Sequence, residues 1–318
     1  FINTEQRFDM AISANGGVGG DVQLYVGDSH LTTDGDRAIA IVAQSIGGGG
    51  GYISADARNV GAISQTVSTV QSSRGGEINV TLEGGTGGEG TAYVSTYGAG
   101  AWGILAQSIG GGGGLLGDTS LDILGVPHVV TNTPNLCSSD VCRSEQVSVT
   151  LKDAILKTFG TNSHGIVVQS WSGGGGIFGG SDQSSTAPLV LGTIESGAVS
   201  TARVGSDQGV FLFTSIDEKS TVSTSGKGSI AILMQTNILS ATSPIQLLNS
   251  GDVIGGATST NAEANNRLVQ GIGVMISGGS DVGPNYLANA GNLSTVGGVS
   301  SGYAIMTDYG VTNVDNFG

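Results

Sequence analysis

The 318-residue chain carries 57 glycines and only 5 prolines, and 11% of its residues are charged. No glycine recurs at every third position, which excludes collagen, and regular Val, Ile, Leu and Ala runs between the glycines exclude a disordered linker. A formal charge of −14 argues against nucleic acid and anionic membrane as partners, and no run reaches the roughly 20 apolar residues of a membrane helix.

With Phe1 first and no leader pattern, the chain reads as a mature product or a piece of a longer one. Gly16-Gly-Val-Gly-Gly-Asp21 fits the first six positions of a calcium-binding nonapeptide. Gln23 then stands where an apolar residue is needed and no tandem copy follows, so a turn into a strand at 22–26 is expected. Asp34-Gly-Asp36-Arg37 is the best local candidate for paired carboxylates. The matching turns later read Gly98-Ala-Gly-Ala101 and Thr161-Asn-Ser-His164, which favours a solvated turn.

A repeat follows. Ala38-Ile-Ala-Ile-Val-Ala-Gln-Ser-Ile46 and five glycines return as Ala101-Trp-Gly-Ile-Leu-Ala-Gln-Ser-Ile109 and five glycines. A third copy is His164-Gly-Ile-Val-Val-Gln-Ser-Trp-Ser172 with four glycines, and Ile230-Ala-Ile-Leu-Met-Gln-Thr236 is a fourth without the tract. Gly271–Gly279 and Gly302–Thr307 look like decayed relatives. A phosphate-cradling loop would need a helix and Lys-Ser/Thr after the glycines. Tyr52-Ile-Ser or Leu115-Leu-Gly follows instead, so the tracts are expected to form tight turns or packed glycine extensions.

Between copies, residues 117–145 carry Pro127, Pro134 and both cysteines and break the pattern, as a protruding loop would. Cys137 and Cys142 have four residues between them, which suits a small disulfide loop and hence an oxidising compartment. That spacing is not a CxxC redox motif, and only His128 lies near enough in sequence to add a metal ligand. Residues 260–270 form a candidate second excursion. Asn79-Val-Thr81 and Asn292-Leu-Ser294 match the N-glycosylation pattern. His30, His128 and His164 are far apart, and no catalytic residue, metal ligand or cofactor is assigned.

Gln44, Gln107, Gln169 and Gln235 are separated by 63, 62 and 66 residues. At about 20 residues per coil each interval holds three coils, with Ala62-Ile-Ser-Gln-Thr-Val67 and Glu77-Ile-Asn-Val-Thr-Leu82 as intervening strands. The expected fold is an all-β, right-handed parallel β-helix (solenoid), one rod over 1–318. It would have about fifteen coils and a length of roughly 70 Å. Period-2 alternation assigns Ile41, Ala43 and Ser45, with their counterparts, to the core. The opposite face holds the glutamines with Val42, Leu105, Val167, Ile46, Ile109 and Trp171. Strands apolar on both sides are usually covered on both sides, so the glycine tract or a neighbouring molecule is expected to pack there.

Ala-Gln-Ser-Ile followed by five glycines resembles repeats of large bacterial autotransporter passenger domains, and Asn289-Ala-Gly-Asn-Leu-Ser-Thr295 is similar to their coils. The resemblance implies a secreted surface β-helix, usually ahead of a membrane barrel, active in adhesion, aggregation or biofilm formation. It supplies no catalytic residues. An adhesive role implies a cell-surface or matrix ligand as partner, while open coil ends and the apolar outer strand face point to a second copy joined end to end or laterally. A self-assembling extracellular fibre subunit and a polysaccharide-active β-helix enzyme are the competing readings.

Overall fold

A computed structural model describes residues 8–14, 17–48, 50–54, 60–67, 73–85, 90–111, 113–117, 119, 142–172, 175–178, 190–191, 194–195, 198–199, 212–236, 245–257, 259–261, 267–269, 271–278, 283–296, 302–308 and 311–317. Among them the regular structure is entirely strand, and three long sheets hold seven, six and six strands. Sheet I contains Val22–Gly27, Ile78–Glu83, Val147–Lys152, Leu212–Ile216, Ile245–Asn249, Asn285–Asn289 and Thr312–Asn316. Sheet II contains His30–Thr33, Ala92–Thr96, Ala154–Thr158, Thr221–Thr224, Asp252–Gly255 and Asn292–Thr295. Sheet III contains Ile41–Ile46, Ile104–Ile109, Ile166–Trp171, Ile230–Thr236, Ile272–Ser277 and Tyr303–Asp308.

Neighbouring strands in each sheet are parallel, and the chain visits sheets I, II and III in turn before starting the next rung. This is the stacking of a β-solenoid. Period-2 alternation makes it: Ile78, Val80 and Leu82 point inward and are fully buried, while Asn79, Thr81 and Glu83 between them are half-buried. Inward residues of all three sheets join one core, exemplified by Val149, Leu156 and Val168 of a single rung.

The coil arithmetic is corrected by strand pairing. Gln44 lies opposite Gln107, Gln107 opposite Gln169 and Gln169 opposite Gln235, so successive copies are adjacent strands, not strands three coils apart. Each interval of about 63 residues is one rung plus an excursion that leaves after sheet III. The described residues therefore make six three-strand rungs and the opening strand of a seventh, in place of about fifteen coils, and span about 30 Å at normal strand spacing. The segment expected to add a coil strand, Ala62–Val67, lies in a strand at Val60–Val67 that instead pairs with Phe8–Ala14 in a separate two-stranded sheet. Within the excursion at 260–270, Ser259–Asn261 and Arg267–Val269 pair antiparallel.

Side-chain hydrogen bonds close the corners. Ser45 Oγ donates to Gly20 O (2.7 Å) and accepts from Gly76 N (2.8 Å), and Ser108 likewise joins Gly76 O and Glu145 N. These inward serines stitch the end of sheet III to the start of sheet I in the same and the next rung. Between sheets II and III, Thr33 Oγ1 donates to Ala38 O (2.8 Å), and Thr96 and Thr158 repeat the bond to Ala101 O and Ser163 O. In the same turn, Arg37, Gly100, Asn162 and Gly228 occupy the left-handed region, with φ of 60, 65, 52 and 70°. A Cβ on Gly160 would lie 1.9 Å from Gly98 O, so only glycine permits this approach.

Candidate functional site

The repeated glutamines form a ladder on the outer side of sheet III. Gln44 Nε2 donates to Gln107 Oε1 (2.6 Å), Gln107 to Gln169 (2.7 Å) and Gln169 to Gln235 (2.9 Å). One rung spacing brings identical amides into donor–acceptor reach, so each rung needs the same residue. Gln107, Gln169 and Gln235 are buried and Gln44 is half-buried. Beyond Gln235 the position passes to Ser277 and Asp308, and a second amide ladder begins in sheet I, where Asn249 donates to Asn289 and Asn289 to Asn316, both at 2.7 Å.

The glycine tracts lead the chain back over these amides. Gly50–Ser54, Gly113–Gly117 and Gly175–Phe178 are parallel neighbours in a four-stranded cover sheet, with Val190–Leu191 added antiparallel. Gly48 and Gly111, at φ of 87 and 94°, make the turn out of sheet III. Gly51, Gly114 and Gly176 then stack at φ of 149, 127 and 129°. A Cβ on Gly114 would meet Gly51 O at 2.1 Å, and one on Gly176 would meet Gly114 O at 2.1 Å. The side chains that follow fill a second apolar cluster: Leu115 and Ile177 pack with Leu105, Val167 and Leu233. Gln169 Nε2 also reaches Gly176 O at 3.4 Å.

The six residues of the expected packing face thus differ in surroundings. Leu105, Val167, Ile109 and Trp171 are buried, Ile46 is half-buried, and Val42 in the first rung is 39% exposed. A covered amide ladder braces the stack and offers no open surface to a ligand.

His164 sits in the same outer layer, its ring 5.1 Å from that of Trp102. Its Nδ1 accepts from Ile230 N (3.0 Å), while its buried Nε2 has no partner among the described residues. Burial lowers its pKa from 6.5 to about 3, so the imidazole is neutral at ordinary pH. Asp36 is a brace: its Oδ1 accepts from Ala99 N in the next rung (2.9 Å). Cys142 is buried, no cysteine among the described residues is free, and Cys137 and His128 lie outside them. Among the described residues no group of three His, Cys, Asp or Glu could hold a metal ion, and no helix is long and apolar enough to cross a membrane.

No family model, curated protein or solved structure matches the chain. Its chemistry must be judged from its own surface.

That surface has one feature that the sequence reading missed, on the outer side of sheet II. Tyr97 and Phe159, from adjacent rungs, stack with centroids 4.8 Å apart and planes 6° apart, and are 50% and 40% exposed. His30 stacks on Tyr93 at 5.6 Å, and Lys157 Nζ lies 6.0 Å from the centre of the Tyr93 ring. Between the two stacks Ser95 is only 2% exposed, and its hydroxyl is 3.2 Å from that of Thr32. A signal was available in the sequence: Asp34, Tyr97, Phe159 and Ser225 each stand ten residues before a ladder glutamine.

Proposed function

We propose that this chain is a right-handed β-helix module of a secreted bacterial surface protein of the autotransporter passenger kind. It works by presenting an extended repetitive surface for attachment, aggregation or biofilm formation, without catalysis. The observation that carries this reading is the in-register stacking of the Ala-Gln-Ser-Ile repeats, with their glycine tracts folded back as a cover. The repeat that resembles those passengers is thus the element that builds the rod. Handedness follows from the strong preference of parallel strand connections for the right-handed crossover. A Cys137–Cys142 disulfide, closing a small loop, belongs to the same reading and suits an oxidising exterior.

The test is display on a non-adherent bacterium behind a translocator barrel, scored by settling and surface attachment. Display should raise both over a barrel-only control, and no difference would overturn the reading. A second reading, a self-assembling fibre subunit, draws on Tyr303, Val311, Val314 and Phe317, which are exposed around the last described strands. Electron microscopy of the purified chain separates the two: isolated rods support the displayed module, and regular filaments support the fibre.

A further inference from the structure

We propose that His164 is an acid-released latch between rungs three and four: protonation turns its ring out of the outer layer and uncovers Trp102, while the three-sheet core keeps its pairing. The latch belongs to the rod whatever the rod displays, so it stands or falls apart from the surface-module reading.

The donor pattern fixes the chemistry. Nδ1 accepts from Ile230 N at 3.0 Å, so the proton of the neutral ring is on Nε2. A second proton has only Nδ1 to go to, and there it meets the Ile230 N–H head on. Two donors cannot share that gap, and the imidazolium has to give up its contact with the next rung. Its Nε2–H finds no acceptor among the described residues to hold the charged ring in place. The neighbouring rungs lack this device. Ile39, Trp102 and Ile230 fill the same place in rungs one, two and four, and none of them offers a titrating acceptor.

The surroundings give the charge no compensation. Trp102, Ser163, Ser229 and Ile230 border the ring from its own and the adjoining rungs and are fully buried. The cover strands Gly113–Gly117 and Gly175–Phe178 contain no ionisable residue. In the corner above, Lys227 is exposed and three positions before Ile230, and Asp36 and Arg37 turn the same corner two rungs below. Once in water the ring regains its ordinary pKa of 6.5, against about 3 in place, where burial lowers it. Each pH unit below 6.5 therefore favours the released ring about tenfold, for roughly three decades in all.

Release is local because the outer layer and the core are separate packings. Trp102, Leu105, Val167 and Ile177 belong to one apolar cluster, Ile166 and Val168 to the other, and no residue is common to both. Trp102 spans the joint. Its Nε1 donates to Asn162 O in rung three (3.1 Å), and its ring lies tilted against His164. With the imidazole gone, a fully buried indole gains an open side.

The chain has two tryptophans, so Trp171→Phe leaves Trp102 as the sole reporter. Acrylamide quenching of that variant is followed from neutral pH down to about 3, beside far-ultraviolet circular dichroism. Quenching should rise severalfold along a curve with the slope of one proton, at pH values where the β signal is still whole. Adding His164→Asn puts an amide oxygen where Nδ1 stands and removes the titration, and His164→Ile copies the residue of rungs one and four. Quenching should stay flat in either. Nitrogen-15 spectra of the unsubstituted chain, with its three histidines, read the event directly. Nδ1 of His164 should be unprotonated at neutral pH and gain its proton as quenching rises. The latch is overturned by a quenching rise that persists in either His164 variant, by one that comes only with loss of the β signal, or by an Nδ1 already protonated at neutral pH.

Discussion

Gln107 serves two neighbours besides itself, accepting from Gln44 and donating to Gln169 in a fully buried site. Replacing it with leucine strands an amide N–H on one side and a carbonyl oxygen on the other, at roughly 1–3 kcal/mol for each buried group left unpaired. Gln107→Leu should therefore lower the denaturant midpoint more than Gln44→Leu, which sits at the half-buried end and strands one partner. His164 gives a pH signature. Its folded-state pKa of about 3 lies below the unfolded value of 6.5, so below pH 6.5 the unfolded chain binds a proton that the folded chain excludes. The stability associated with neutral His164 is whole above pH 6.5 and is lost as pH falls towards 3, by up to about 1.4 kcal/mol per pH unit. Unfolding of His164→Leu between pH 7 and 4 should show a shallower decline than the parent; parallel curves would contradict this. At this scale the sequence showed which positions recur, because a ladder demands identical residues. It hid the neighbours of His164, which come from the rungs on either side: Trp102 before it and Ile230, 66 residues on.

Within the cover sheet, backbone geometry decides which glycines matter. Gly114→Ala places a Cβ against Gly51 O at a positive φ, whereas Gly20→Ala, outside that sheet at the entry to sheet I, meets nothing within 4 Å. The first should loosen the cover strand and bare Leu105 and Val167, raising the binding of a hydrophobic dye, and the second should leave dye binding at the parental level. Strands apolar on both sides told from sequence alone that sheet III needs two layers. The strand order was less legible. Spacing between copies adds rung and excursion together, and nothing in Ala62–Val67 distinguishes a strand of the stack from one that pairs with Phe8–Ala14 outside it.

Across the molecule, the rung with its excursion behaves as a separable unit, since a solenoid is held by contacts between nearest neighbours. Ile109 and Trp171 occupy the same register position, so deleting 110–171 joins chemically equivalent points and sets Gln107 beside Gln235. That chain should unfold cooperatively with a smaller m-value, in proportion to the surface removed, and scattering should show an axis shorter by about 4.8 Å. An aggregated or non-cooperative product would mean that the excursions, not the rungs, organise the fold.

The in-register glutamine ladder has a consequence at the level of the gene. Where neighbours are alike, a misaligned recombination between two copies of the repeat restores a legal junction, because the new neighbour offers the amide that the old one did. Length in such a protein can then be inherited in whole steps, added or lost one rung at a time, without a new fold having to be found.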